Sequence, residues 1–287
     1  MEITANYKAE LVGVLGYPVA ENPTGLMQEA AFAALGLNWR YLTIEVRPEN
    51  LAEALRGVRA FGMCGINLTI PHKVAVMDLL DEIAPDAALI GAVNTVRRQG
   101  ERLIGENTDG KGFMRGLAQD AGMDGRGKRV VVLGAGGAAR AITTELALAG
   151  AADLTVVNRD VRRGRGLVVD LESRLNLQAK LVHWNQTVYI GDETDILVNA
   201  TSIGLFPDAA AMPDVDLSQA RPDLLVCDVI PNPPETPFLQ MAQRRGLKTL
   251  NGLSMLVYQG SIGFEMWTGL KAPEAVMKTA LRNAFGA

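Results

Sequence analysis

The sequence predicts an α/β protein with an N-terminal α/β domain, a Rossmann-type doubly wound domain, and C-terminal helices that return to the first domain. Three observations carry that prediction. Short apolar runs alternate with segments of helical periodicity from Ala9 onward. A glycine-rich turn, Gly134-Ala135-Gly136-Gly137-Ala138-Ala139, follows the apolar run Val130-Val131-Val132-Leu133. Two amphipathic segments, from Ser254 and from Pro273, come too late in the chain to join the sheet. The expected domains are 1–108 with 252–287, and 109–251.

Ala9 to Gly16 reads as a strand that stops at the turn signal Gly16-Tyr17-Pro18. Leu26 to Leu35 has helical spacing and stops before Gly36. Trp39 to Glu45 alternates as a strand, Leu51 to Ala60 is helical, and Gly65 to Ile70 is again strand-like. Lys73 to Leu80 and Ala84 to Ile90 read as helices. Val93 to Arg97 and Arg102 to Gly105 flank Arg98-Gln99-Gly100-Glu101, a hairpin. The second domain begins with a helix over Gly110 to Gly122. Strands follow at Arg129–Leu133, Leu154–Val157, Ala179–His183, Ile196–Asn199, Leu224–Asp228 and Lys248–Leu250, with helices ending at Leu148 and Leu175 among them.

With 287 residues, 48% apolar and 21% charged, the chain can build two cores and is not disordered. A net charge of −4 excludes a general nucleic-acid binder. No window approaches ~18 uninterrupted apolar residues, so no membrane span is expected. The run Met1 to Lys8 lacks the charged-then-apolar order of a signal peptide. Cys64 and Cys227 lie in apolar stretches and read as reduced core thiols of a cytoplasmic protein. The scattered His and Cys residues give no metal-ligand spacing, so no metal is expected.

The glycine turn fits a dinucleotide fingerprint. Gly134 permits the tight turn, Gly136 lets the backbone approach a pyrophosphate, and Ala139 lets the next helix pack closely. The helix N-terminus then offers unpaired N–H groups to phosphate. Gly134, Ala135, Gly136, Gly137 and Ala138 are therefore candidate cofactor contacts. The second strand ends in Asn158-Arg159-Asp160-Val161-Arg162-Arg163. Arg159 and Arg163 suit the 2′-phosphate of NADP, whereas Asp160 would repel it and leaves NAD open.

Lys73, in Asn67-Leu68-Thr69-Ile70-Pro71-His72-Lys73, and Asp109, in Asn107-Thr108-Asp109-Gly110, precede the glycine turn. A lysine and an aspartate can move the proton that accompanies hydride transfer at an alcohol or ketone. Alone, they would read as a surface ion pair contributing about 0–1 kcal/mol. His72 reads as a packing residue, since Lys73 already occupies the proton-transfer position.

Together these runs resemble the shikimate dehydrogenase family, including its quinate-acting and shikimate-dehydrogenase-like branches. Further matches are Gly91-Ala92-Val93-Asn94-Thr95, Asn199-Ala200-Thr201-Ser202-Ile203-Gly204 and Gly252-Leu253-Ser254-Met255-Leu256-Val257-Tyr258-Gln259. The resemblance implies that Lys73 and Asp109 are the catalytic pair, and that Asn67, Thr69, Asn94 and Gln259 contact substrate hydroxyls. It adds Asn158, Thr201 and Gly252 to the cofactor side. The implied activity is NAD(P)-dependent interconversion of a cyclic hydroxy acid and its ketone, shikimate and 3-dehydroshikimate or a close analogue, by a monomer or homodimer. The alternatives are quinate dehydrogenase and a non-catalytic NAD(P)-binding sensor.

Two positions depart from the family pattern. A Ser-any-Ser pair that holds the substrate carboxylate is replaced by Asn22 and Thr24, beside Glu21. An amide and a hydroxyl can still donate to a carboxylate, but Glu21 disfavours an anion. Pro231 stands where the family carries a tyrosine near substrate and nicotinamide.

Overall fold

The computed structural model describes residues 7–175 and 177–286. The run Met1–Asn6, part of the N-terminal stretch considered above, lies outside them, as do Asn176 and Ala287. The chain divides into two units, Met1–Asn107 with Gly260–Leu281, and Thr108–Gln259 with Arg282–Ala287. These boundaries differ from the expected ones chiefly at residues 252–259, which belong with the second unit.

In the first unit, β1 (Glu10–Gly16), α1 (Thr24–Ala34), β2 (Trp39–Glu45), α2 (Leu51–Ala60) and β3 (Gly65–Leu68) alternate as the periodicity requires. Next come α3 (His72–Ala75), β4 (Glu82–Ile83), α4 (Pro85–Ile90), β5 (Thr95–Gln99) and β6 (Arg102–Glu106). The six strands are ordered β2-β1-β3-β5-β6-β4. Pairings within β2-β1-β3 and between β4 and β6 are parallel, whereas β5 runs antiparallel to both β3 and β6. The predicted hairpin is therefore present but tighter. Gln99 pairs with Arg102, so Arg98 and Gln99 are strand and only Gly100-Glu101 turn.

The single helix expected over Lys73 to Leu80 is instead α3 followed by a 3₁₀ turn at Val76–Leu79. The Lys73 carbonyl accepts from Val93 N at 2.8 Å, which competes with the i→i+4 bond that would continue the α-helix. Leu51, Leu55 and Val58 of α2 pack with Leu15, Ile66 and Leu68 in one core cluster.

The second unit contains α5 (Asp109–Gln119), β7 (Arg129–Leu133), α6 (Gly137–Leu148), β8 (Asp153–Asn158), α7 (Val161–Leu175) and β9 (Ala179–His183). After β10 (Val188–Tyr189) come β11 (Ile196–Asn199), β12 (Val215–Asp216), β13 (Leu225–Asp228), α8 (Pro237–Arg244) and β14 (Lys248–Leu250). The main sheet is wholly parallel in the order β14-β13-β11-β7-β8-β9, while β10 and β12 pair separately. Alternate residues of β11 join opposite clusters, Ile196 and Val198 one and Leu197 the other. That is why its apolar run is continuous rather than alternating.

Periodicity does not announce helix α8. Thr236 caps it by accepting from Leu239 N, and Pro237 opens it, a pairing of N-cap and first-turn proline that a sequence can display.

Helix α9 (Gly252–Thr268) begins in the second unit and ends in the first, followed by α10 (Glu274–Phe285). Its first half belongs with α5. Ser254 Oγ and Tyr258 Oη donate to the Asp120 carboxylate at 2.8 and 2.9 Å. A Cβ on Gly112 would lie 2.6 Å from Gln259 N, and one on Gly116 2.3 Å from Ser254 Oγ. Its second half joins the first unit, where Phe264 stacks on Phe32 and Trp267 Nε1 donates to Val96 O at 3.0 Å.

Candidate active site

In the first unit the site residues gather where β1 and β3 end. Gly16 has no room for a side chain, since its Cβ would sit 2.4 Å from Thr69 Cγ2. Thr69 N donates to Leu15 O at 3.0 Å, and Thr69 O accepts from His72 N at 2.8 Å. This turn starts α3 and sets Lys73, half-buried, one residue into it. His72 is only 1% exposed and its Nε2 lies 2.7 Å from Val46 O, a packing role as its position suggested.

Asn22 Oδ1 accepts from Thr24 N at 3.0 Å where α1 begins. Thr24 is 4% exposed. Tyr41 Oη donates to Asn67 Oδ1 at 2.7 Å. Asn67 Nδ2 donates to Asn94 O at 3.2 Å and to Thr95 Oγ1 at 2.9 Å. Asn67 is therefore joined to Asn94 directly and to Tyr41, a residue that sequence reasoning does not single out. Burial pushes the Tyr41 phenol well above its usual range, opposed by the Thr24 hydrogen bond, so it keeps its proton.

In the second unit Asp109 is the first residue of α5, where a carboxylate suits the exposed N–H groups of the opening turn. Thr108 Oγ1 lies 3.4 Å from Gln259 Oε1, and Gln259 Nε2 donates to Leu256 O at 3.1 Å. Asp109 and Gln259 are the catalytic and substrate candidates of the second unit, and Thr108 is a residue that sequence reasoning does not single out.

The cofactor candidates lie along the carboxyl edge of the parallel sheet. The chain runs outward from β7 through β8 to β9 and then crosses to β11 on the other side of β7. The Gly134 turn stands at that switch point, where ligands of doubly wound sheets bind. Gly134 has φ +108°, and a Cβ there would approach Ala200 O and Thr201 Cγ2 to 3.0 Å. In contrast, a Cβ on Gly136 or Gly137 would meet nothing within 4 Å. Ala135 and Ala139 are buried, Ala138 half-buried. Among the described residues, no acidic side chain occupies the first turn of α6 and none caps it. An open approach to free helix N–H groups fits a pyrophosphate.

Asn158 Nδ2 donates to Asp160 O at 2.7 Å. Asp160 Oδ1 accepts from Arg162 N and Arg163 N at 2.9 and 3.1 Å, so this carboxylate caps α7. Its charge alone sets Asp160 against a 2′-phosphate, but the helix N-terminus compensates part of that charge. Arg159 is exposed and lies over the Trp184 ring, 5.6 Å from guanidinium to centroid. Both line a cavity of about 670 Å³ with Ser202, Ile203 and Asp214. Arg163 is exposed on α7.

Thr201 turns its hydroxyl inward, donating to Asn199 Oδ1 at 2.6 Å and accepting from Ile203 N at 3.1 Å. Gly252 is required by backbone proximity, since a Cβ would lie 2.3 Å from Ile230 C. Behind these residues sits Asp228, which accepts from Asn199 Nδ2, Ile230 N and the Thr236 hydroxyl at 3.1, 3.1 and 2.7 Å. Burial raises its carboxyl to about 6 despite those donors. Asp228 thereby fixes the loop carrying Pro231. Burial likewise raises both thiols, Cys64 to about 11.

Comparison with known proteins gives a consistent answer. The "Shikimate dehydrogenase substrate binding domain" family matches residues 14–96, "Shikimate / quinate 5-dehydrogenase" residues 116–228, and "Shikimate 5'-dehydrogenase C-terminal domain" residues 252–282. The chain is 42% identical over 281 residues to the NADP(+) shikimate dehydrogenase of Desulforamulus reducens, covering 97% of this chain and 96% of that one. The ligand-free 5-ketofructose reductase of Gluconobacter sp. strain CHM43 superposes with a TM-score of 0.93 at 46% identity, over 98% and 100% of the two chains. Shikimate 5-dehydrogenase of Thermus thermophilus, in complex with NADP(H) and shikimate, gives 0.84 at 36% identity over 96% and 99%.

Proposed function

The chain belongs to the shikimate dehydrogenase family, and from that premise we propose that it is an NADP-dependent oxidoreductase interconverting a ring hydroxyl and its ketone, with shikimate and 3-dehydroshikimate as the reference pair. The single observation that carries this reading is the set of motifs around Lys73 and Asp109, each held at a helix start in its own unit. The first unit receives the substrate and the second the dinucleotide. Gly134 to Ala138 receive the pyrophosphate and Arg159 the 2′-phosphate, while Asp160 remains in its capping role. NADPH, when bound, supplies the hydride for carbonyl reduction.

The proton comes from Lys73. An ammonium can donate directly to a carbonyl oxygen that gains electron density. In the oxidising direction the same amine accepts the proton. Asp109 is the acidic member of the pair that the family motifs pick out, and Asn94 and Gln259 are the candidates for the substrate hydroxyls.

A second reading is favoured by one observation: Thr24, at the second position of the carboxylate motif, is nearly inaccessible. The carboxylate position of the motif then lacks one donor. A neutral polyhydroxy ketone, of which 5-ketofructose is the example named among the similar structures, needs no such donor. Initial rates with shikimate, quinate and 5-ketofructose, each with NADP(H) and NAD(H), test both readings. Activity on none of them would overturn the function, and a preference for NAD(H) would overturn the cofactor.

A further inference from the structure

We propose that Trp184 is a positioning residue that holds the Arg159 guanidinium ready for the 2′-phosphate of NADP. The proposal rests on the functional reading above, which assigns Arg159 to that phosphate. It starts from how arginines of the second unit are held. Arg140 donates to Asp170 at 2.8 Å and Arg221 to Asp195 at 2.7 Å, so a carboxylate fixes each of them. Arg159 differs: among the described residues it pairs with no carboxylate, and its guanidinium carbon lies over the Trp184 ring, 5.6 Å from the centroid.

The choice of partner decides what the arginine can do next. A carboxylate fixes the side chain but also neutralises it. An aromatic face attracts the cation through the ring quadrupole and supplies no anion. Arg159 is thereby held while exposed, with its full charge and its planar fork of N–H donors left for a phosphate. Asp208 and Asp214 line the same cavity as this pair, and neither pairs with Arg159 while it lies over the ring.

The ring is itself fixed. Trp184 is buried and packs in one core cluster with Val157, Ile190 and Val215. Its Nε1 donates to Asp214 O at 3.3 Å, and its backbone N to Asn158 O at 3.1 Å. The second bond ties the tryptophan to the residue before Arg159. Asp160, the residue after, is held as the cap of α7. The guanidinium is thus confined before a ligand arrives, so less side-chain freedom is lost on binding.

Equilibrium binding of NADP, 2′,5′-ADP and NAD separates positioning from packing, because only the first two carry the 2′-phosphate. Trp184→Leu should weaken NADP and 2′,5′-ADP about three- to ten-fold, as expected for a partly desolvated cation–π contact, and NAD by less than about two-fold. In the Arg159→Ala background the same substitution should leave the NADP-to-NAD ratio unchanged, since no cation remains to be held. Ring-fluorinated tryptophan placed at position 184 has nearly the native shape and a weaker quadrupole, and it covers the case in which Trp184→Leu fails to fold. The ratio should fall as fluorine is added.

A ratio unmoved by Trp184→Leu or by fluorination would overturn the role of Trp184. So would a ratio that falls just as far in the Arg159→Ala background, or equal losses for NADP and NAD, which would put the shared adenosine on the ring. Arg159→Ala binding NADP as the wild type does would overturn the functional reading of Arg159 and this proposal with it. The two failures are therefore distinguishable.

Discussion

The glycine turn at Gly134–Ala139 and the Tyr41–Asn67 cluster, the candidate cofactor and substrate elements, are built by opposite means. The turn uses backbone: a positive φ at Gly134, open space at Gly136 and Gly137, and the uncapped first turn of α6. The cluster uses side-chain hydroxyls and an amide whose protons are shared among three elements. Backbone recognition constrains residue identity at fixed spacing and therefore leaves a motif. Side-chain networks constrain only the sum of donors and acceptors, and several residue combinations satisfy the same sum. A backbone motif is thus written locally, while a side-chain network depends on which strand faces which helix.

The strongest way to sharpen this contrast is to remove the proton donor from one unit and read the cofactor in the other. Lys73→Ala should lower kcat about 10²- to 10⁴-fold and leave NADPH affinity within about two-fold, since the glycine turn is untouched. Stopped-flow turnover and fluorescence titration of NADPH give the two numbers. A kcat near that of the wild type would end the assignment of Lys73.

The reverse perturbation is Gly134→Ala. A non-glycine residue at φ +108° costs about 1–3 kcal/mol, and the new Cβ would press on Ala200 O. NADPH binding should weaken about ten-fold or more. An unchanged Kd would mean that the turn does not hold the dinucleotide.

Some of these features are legible in the residues and others are not, for physical reasons. The parallel sheet of the second unit is legible because both of its faces are covered, which forces continuous apolar runs such as Ile196–Val198. The roles of Gly134 and Ala139 are legible because each answers a local steric demand. The break of the helix after Ala75 is not, since it depends on Val93 N capturing the Lys73 carbonyl from a segment 20 residues away in sequence. Tyr41 is invisible for the same reason: on a strand it looks like any half-apolar core residue, and only the fold brings it to Asn67. Asp160 is legible as an acidic residue but not as a cap, because its partners are backbone N–H groups that appear only once α7 has formed.

A pH test probes the support behind the glycine turn. The Asp228 carboxyl is raised by burial to about 6, above the value of roughly 3.9 for an unfolded aspartate. The folded state therefore holds the extra proton between those values, and its contribution to stability is complete at low pH and lost as pH rises through about 6. Between about pH 5 and 7 the loss should be about 1 kcal/mol, seen as a falling melting temperature in that window. Asp228→Asn should flatten this slope, and a variant with the wild-type slope would show that another group titrates.

The smallest expected effect is at Asp160, and it separates structure from recognition at the strand end. If the carboxylate serves as the cap of α7, Asp160→Ala should cost roughly 0.5–1 kcal/mol of stability, the lower part of the range for N-caps at exposed positions. The ratio of NADP to NAD affinity should hardly move, because the side chain is engaged by Arg162 N and Arg163 N. Arg159→Ala supplies the contrast. Losing a hydrogen-bonded partner of the 2′-phosphate should weaken NADP about ten-fold or more and leave NAD nearly unchanged, since hydrogen bonds to charged groups contribute about 1.5–3 kcal/mol. Asp160→Ser restores a capping oxygen without the charge. It should recover most of the lost stability while the cofactor ratio stays where it was. If Asp160→Ala and Asp160→Ser instead both raise the preference for NADP several-fold, the carboxylate reads the ribose after all. Recognition at this edge would then depend on a side chain as much as on the glycine turn.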